Sequence, residues 1–254
     1  MGNISSKGYP ISNKIGKAIA DHNLIENGDK ILVGVSGGKD SLTLLKMLIE
    51  RQRWAPVAYD VLAAHIVTDQ RCAGCVHKDV LERIFRSWGC GFRFVNVSLQ
   101  SGSIKKNSCF WCSWNRRKAL FLMADELGCN KIALGHHKDD IIETILMNLF
   151  YKGEISSVNA RQPLFDGKLT IIRPLIYVEE KDIRAFALES GFPSQLCRCP
   201  NSMTSKRALM KKLISEIENG NKMIKSNIFR APSRIRHDYL GVSEERFFEQ
   251  SKKS

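Results

Sequence analysis

The sequence predicts an α/β fold: a doubly wound, mostly parallel five-stranded sheet with helical N- and C-terminal extensions. Three observations predict it. Short runs such as Lys30-Ile31-Leu32-Val33 and Val61-Leu62-Ala63-Ala64 are continuously apolar, as strands buried on both faces tend to be. Segments with helical spacing of apolar residues alternate with these runs, and that alternation specifies a parallel sheet covered on both sides. One strand-to-helix junction, Gly34-Val35-Ser36-Gly37-Gly38-Lys39-Asp40-Ser41, is a glycine-rich turn of the kind that aims backbone N–H groups and a helix N-terminus at an anion.

In chain order, residues 1–24 form a helical lead-in with Ile11, Ile15, Ala18 and Ile19 on one face. The sheet domain occupies residues 25–195. After the first strand and its glycine-rich turn, 42–49 is apolar enough for a buried helix, and 59–67 is the second strand. Val80, Leu81, Ile84 and Phe85 share a helical face, and 92–97 alternates as the third strand. A helix carrying Ala119, Leu120, Leu122, Met123 and Leu127 is ended by Gly128. The fourth strand is 132–134, followed by a helix over 141–150. The fifth is 171–176, whose Pro174 implies an edge or a strand end. Ile183, Phe186, Ala187 and Leu188 mark one more helix. Residues 196–254 form a basic helical segment, with Leu209, Leu213 and Ile217 as the stripe that docks on the sheet domain.

Bulk properties narrow the function. The 254 residues suffice for one domain with an appendage. No apolar run reaches transmembrane length and the first residues lack a secretory apolar stretch, so the expected location is cytoplasmic, without a membrane partner. A net charge of +13 favours a polyanionic partner, nucleic acid above all. Eight cysteines in such a chain point to metal or redox chemistry before a disulfide framework.

The turn after the first strand reads as a phosphate cradle. Gly37 and Gly38 permit close backbone approach, Ser36 and Ser41 add hydroxyls, and Lys39 adds a point charge. It differs from the usual mononucleotide loop: three residues separate Gly34 from Gly38, and Asp40 follows Lys39. A carboxylate beside phosphates is repulsive unless a divalent cation lies between them, so Asp40 implies Mg2+. The plainer alternative is a Gly-Gly turn between strand and helix.

Ligands of such sheets gather at the C-terminal ends of the strands, where Thr68-Asp69 and Gly135-His136-His137-Lys138-Asp139-Asp140 also fall, followed by Glu143 and Asn148. Asp139 and Asp140 either hold magnesium or cap the helix start. Cys109-Phe110-Trp111-Cys112 opens the helix after the third strand, and Cys197-Arg198-Cys199-Pro200 follows the last sheet helix. A Cys-x-x-Cys pair joined by a distant third cysteine suits zinc or an iron–sulfur cluster. A cubane with three cysteine ligands leaves one iron open. Cys72 and Cys75, with His77 nearby, are a further pair that could bind zinc, accept sulfur as a persulfide or form a disulfide. Cys90 and Cys129 read as small core residues.

The hexapeptide from Ser36 to Ser41 resembles the pyrophosphate loop of the N-type ATP pyrophosphatases. Cys109-x-x-Cys112 with Arg116-Arg117, Leu134-Gly135-His136-His137-x-Asp139-Asp140, Asn148-Leu149-Phe150-Tyr151 and Arg173-Pro174-Leu175 then follow in the order found in the tRNA-cytidine 2-thiolases. The chain is similar to that family from about Ile15 to Arg207.

The resemblance implies the adenine nucleotide alpha hydrolase-like fold and an enzyme that uses ATP, Mg2+ and a 4Fe-4S cluster. It would adenylylate the C2 oxygen of a tRNA base, cytidine 32 being favoured, and replace it with sulfur. By position, Ser36, Gly37, Gly38, Lys39, Asp40, Ser41, Gly135, His136 and Asp139 would bind the nucleotide. Asp140, Arg116 and Asp40 would be catalytic, and Cys109, Cys112 and Cys199 would hold the cluster, with Cys197 as the alternative third ligand. Partners would be tRNA and a sulfur donor, either a cysteine desulfurase or sulfide; a homodimer is compatible with this reading. Trp111, Trp114 and Phe110 are candidates for stacking on loop bases, or for burial around the metal. A tRNA 2-thiouridine synthetase is the nearest alternative, and a non-catalytic metal-binding RNA-binding module is the alternative from another class.

Overall fold

The computed structural model describes residues 4–68, 78–97, 109–193 and 206–239. The elements in chain order are α1 (Gly8–His22), β1 (Asp29–Gly34), α2 (Lys39–Arg51), β2 (Tyr59–Thr68), α3 (Lys78–Ser87), β3 (Gly91–Val97), α4 (Cys109–Glu126), β4 (Lys131–Ala133), α5 (Lys138–Lys152), β5 (Arg161–Leu164), β6 (Leu169–Ile172), α6 (Glu180–Glu189), α7 (Lys206–Glu218) and α8 (Ile224–Arg230). Two short 3₁₀ turns follow at Ala231–Ser233 and His237–Tyr239.

The strands hydrogen-bond in the order β3-β2-β1-β4-β6-β5. All neighbours are parallel except β5, which pairs antiparallel with β6 across a tight turn at Phe165, Asp166 and Gly167, all three with positive φ. The sheet therefore has six strands, one more than the sequence pattern indicates. Arg161-Gln162-Pro163-Leu164 escapes notice because it is polar and carries a proline, which is tolerated on an edge strand. Pro174 lies two residues beyond the end of β6, at a strand end as its chemistry requires.

Alternation along β1 sends side chains to opposite layers. Ile31 and Val33 join a cluster with Ile11, Ile15, Leu45, Phe85 and Phe186, contributed by α1, α2, α3 and α6. Leu32 joins a second cluster with Ala64, Ile66, Met123 and Ala124, so α4 covers the other face. Ile11 and Ile15 are fully buried, and each such side chain contributes on the order of 2 kcal/mol. Cys90 and Cys129 are buried just ahead of β3 and β4, and burial raises both thiol pKa values, that of Cys90 to about 11.

The expected stripe on the C-terminal segment is shifted by one residue. Met210 and Ile214 are the buried residues of α7, whereas Leu209 and Ile217 are exposed. The docking face is selected by α5, against which both α7 and α8 pack. Lys211 and Arg207, though still exposed, thereby reach acidic side chains on α5 and α6.

Candidate active site

The strand order reverses between β1 and β4, so the turns after these two strands flank the crevice where open α/β sheets bind ligands. The turn after β1 is held open by its own hydroxyls. Ser36 N–H donates to Ser41 Oγ at 3.1 Å, Gly38 N–H donates to Ser36 Oγ at 3.3 Å, and Ser41 Oγ–H donates to the Gly38 carbonyl at 2.9 Å. Gly37 has φ of +88°, which any side chain would strain. Gly38 caps α2 and supplies no side-chain acceptor, leaving the first-turn amides of α2 to meet an anion.

The turn after β4 presses against it. A Cβ on Gly135 would lie 3.0 Å from the Ser41 nitrogen and 3.1 Å from the Asp40 carbonyl carbon, so only glycine lets the two backbones approach this closely. From beneath, His65 on β2 is buried and its Nδ1 lies 2.7 Å from the Val35 carbonyl, fixing the base of the loop. Burial lowers the His65 pKa and nearby Arg116 lowers it further, so the ring is neutral and donates through Nδ1. Half-buried Arg116, on α4, thus lies within electrostatic reach of His65.

Lys39 Nζ sits 3.1 Å from Asp40 Oδ1 and 3.0 Å from Glu180 Oε1. Burial disfavours its charge, but Asp40 and Glu180 outweigh that and raise its pKa. Glu180 feels the same opposition: burial raises its pKa, while Lys211 and Lys39 bring it down to about 2. Asp40 Oδ1 is a buried atom whose charged neighbours are Lys39 Nζ at 3.1 Å and His137 Nε2 at 3.7 Å. A buried carboxylate beside an anion cradle, its charge met by one ammonium that phosphates would also attract, suits a divalent cation. Among the described residues no group of three or more His, Cys, Asp or Glu side chains could hold one by itself. The phosphates would have to complete its coordination, as is usual for magnesium.

Asp139 and Asp140 have separate structural partners. Asp140 Oδ2 accepts the His137 N–H at 3.0 Å and caps α5, while Asp139 Oδ2 accepts the Glu180 N–H at 2.7 Å at the start of α6. Helix capping thus engages both carboxylates. Their second oxygens meet cations from the C-terminal helices: Asp140 Oδ1 lies 3.2 Å from Arg207 Nη1, and Asp139 Oδ1 lies 3.1 Å from Lys225 Nζ. His136 Nδ1 accepts from Arg173 Nε at 3.3 Å, and burial lowers its pKa to about 4. Arg173 is itself buried, donates to the Asn159 carbonyl and to Gln162 Oε1, and has its pKa lowered to about 10 by burial and then by Arg117.

α4 follows β3, and its Leu120 packs at Gly34 at the end of β1, so the first turn of α4, with positions 109 and 112, lies on the C-terminal side of the sheet. Asp69, Cys72, Cys75, His77, Cys197 and Cys199 lie outside the described residues. Sequence reasoning passed over His65, Glu180 and Arg207 as site residues. A histidine within an apolar strand is the only one of the three to leave a trace in the pattern, because a charge on a surface helix looks the same whether it faces solvent or a neighbour.

The PP-loop domain family matches residues 9–193. The chain is 40% identical over 240 residues to the tRNA-cytidine(32) 2-sulfurtransferase of Geobacter sulfurreducens, covering 91% of each chain. It is 39% identical over 235 residues to the tRNA-cytidine(32) 2-sulfurtransferase of Syntrophotalea carbinolica, covering 89% of this chain and 88% of the other. Among solved structures, the U34-tRNA thiolase NcsA from Methanococcus maripaludis with its 4Fe-4S cluster superposes with a TM-score of 0.74 at 22% identity, over 90% of this chain and 78% of that one, and so shares its fold. Similarity that runs nearly end to end and spans both turns of the crevice places the chain in the tRNA-cytidine(32) 2-sulfurtransferase family of PP-loop proteins.

Proposed function

We propose that the chain is an ATP-dependent tRNA sulfurtransferase that exchanges the C2 oxygen of cytidine 32 for sulfur. The observation that carries the reading is the closure of the turn after β4 onto the anion cradle after β1, at Gly135, in a chain whose curated relatives carry that activity in their names. In the first half-reaction the C2 oxygen bonds to the α-phosphorus of ATP, the bond from that phosphorus to the bridging oxygen breaks, and pyrophosphate leaves. The cradle of Ser36, Gly37, Gly38, Lys39 and Ser41 suits the departing pyrophosphate, through amides, hydroxyls and one ammonium. In the second, a C2–S bond forms, the C2–O bond breaks and AMP carries the oxygen away; the sulfur comes from sulfide directly, or from a cysteine desulfurase persulfide whose S–S bond is then cleaved by a second thiol that leaves as a disulfide.

Asp40 would share Mg2+ with the phosphates. Asp139 and Asp140 would fix the turn that carries Gly135 and His136, and Arg116 would neutralise charge between the cradle and the first turn of α4. A 4Fe-4S cluster held by Cys109, Cys112 and Cys199 would supply an open iron as a site for sulfide. Holding the base, the nucleotide and the sulfur at one rim provides the orientation that such a reaction needs. Residues 25–195 would form the catalytic unit, completed by 1–24, with 196–254 adding Cys199 and basic surface; the working compartment would be the cytoplasm. Among the described residues no helix is long and apolar enough to cross a membrane.

Mass spectrometry of tRNA nucleosides from cells lacking the protein tests the reading. Loss of 2-thiocytidine is expected. Loss of 2-thiouridine with 2-thiocytidine intact would overturn the choice of base, and no formation of AMP from ATP with tRNA present would overturn the activity.

A further inference from the structure

Two tryptophans on α4 stand apart from the core. Trp111 and Trp114 remain 39% and 43% exposed, although indoles of this size are mostly covered in folded proteins. Their rings are stacked on each other, with centroids 5.2 Å apart and an interplanar angle of 9°. Asn115 Nδ2 donates to the Trp111 carbonyl at 2.9 Å, which stiffens the turn that bears them. Lys118 Nζ lies 5.5 Å from the Trp114 ring centroid, and Arg116 and Arg117 lie on the same stretch of helix. Partly exposed parallel indoles with cations alongside have the composition of a single-strand nucleic-acid platform: a base that displaces the Lys118 ammonium from the Trp114 ring extends the stack, and the freed ammonium meets a phosphate. The chain's excess of positive charge favours a polyanion over an apolar peptide as the occupant.

We propose that Trp111 and Trp114 form a stacking platform for an unpaired base of the RNA substrate, with Lys118 contacting its backbone. The proposal rests on the tRNA reading above and adds to it the surface that distinguishes loop from duplex. A base in a helix is stacked on its neighbours and cannot join the indoles, whereas a loop base can be splayed out onto them. The platform begins in the helix turn containing positions 109 and 112, so an unpaired nucleotide held there lies beside the cysteine positions proposed to hold the cluster.

The test compares the cluster-loaded protein with Trp114→Ala, Trp114→Phe and Trp111→Ala variants of equal iron content. The probes are an anticodon stem–loop RNA and a fully paired RNA of equal length, titrated by anisotropy and by intrinsic tryptophan fluorescence. Stem–loop binding is expected to quench the indoles. Either alanine variant should weaken stem–loop affinity about tenfold, as loss of one aromatic stacking partner does, while duplex affinity stays unchanged. Trp114→Phe should retain most of the affinity because it keeps a ring. Equal weakening for stem–loop and duplex, or none for either, overturns the platform while leaving the thiolase reading standing. No binding of the stem–loop by the unsubstituted protein overturns both.

Discussion

Lys39 Nζ lies 3.0 Å from Glu180 Oε1, so the lysine of the phosphate cradle is already neutralised from the neighbouring helix α6. Lys211 Nζ holds the same carboxylate at 2.6 Å, tying α7 to this arrangement. A triphosphate entering the cradle must compete with Glu180 for Lys39, and the fixed carboxylate also repels it. Glu180→Gln is therefore expected to tighten binding of a fluorescent ATP analogue several-fold while lowering the melting temperature, because three cations, Lys39, Lys211 and Arg184, lose a charged partner. Weaker nucleotide binding in the variant would mean that Glu180 orients the lysine instead.

Replacing Gly135 by alanine puts a methyl group 3.0 Å from the Ser41 nitrogen, and its three nearest neighbours are all backbone atoms. Neither turn can yield by rotating a side chain. We expect destabilisation of about 1–3 kcal/mol by thermal or urea unfolding, as overpacking generally costs, and a loss of ATP affinity larger than that of Lys39→Ala relative to their effects on folding.

His65 offers a second way to disturb the loop without touching its sequence. His65→Phe keeps the edge contact with Phe94 but leaves the buried Val35 carbonyl without its donor. The expected cost is about 1–3 kcal/mol of stability, with a raised KM for ATP and little change in tRNA affinity. Because the imidazole is neutral and its pKa is lowered in the fold, the KM for ATP should not acquire a His65-dependent step above pH 7.

The buried Glu143 carboxyl gives a pH prediction of unusual sign. Burial and then Asp140 raise its pKa from 4.5 to about 7, although Arg207 Nε lies 3.5 Å away. A carboxyl with a raised folded pKa binds more protons folded than unfolded between pH 4.5 and 7. Stability from this group is then full below pH 4.5 and lost as pH rises through 7. Glu143→Gln should flatten that fall and be more stable than the parent at pH 8, by on the order of 1–2 kcal/mol. Arg207→Ala, which removes the nearest cation, should push the transition to still higher pH. Chemical denaturation from pH 4.5 to 8 measures both; a parent whose stability rises with pH in a Glu143-dependent way would contradict the assignment.

Asp40→Asn tests the metal-sharing role. It should suppress AMP formation by about 100-fold or more at fixed magnesium, with unchanged melting temperature and iron content. Turnover at the parent rate would remove Asp40 from the mechanism.

Local chemistry was enough to read five of the six strands, the order of the helices and the glycine-rich turn after β1. Buried parallel strands must be continuously apolar, and only glycine and small hydroxyl residues can build a loop such as 34–41. That is why Ile31-Leu32-Val33 and the Gly37-Gly38 turn were legible without coordinates. The sequence also marked both sides of the crevice, at Ser36 and at Gly135. The edge strand at Arg161–Leu164 was not legible, because half its residues face solvent and its hydrogen bonds come entirely from β6. Nor was the docking face of α7, where Met210 and Ile214 were selected over Leu209 and Ile217 by the surface of α5. The ion pairs Lys39–Glu180 and Arg207–Asp140 join residues far apart in the chain. A charged side chain carries no sign of its partner until packing brings the two together, so which cation neutralises which carboxylate was decided by tertiary structure alone.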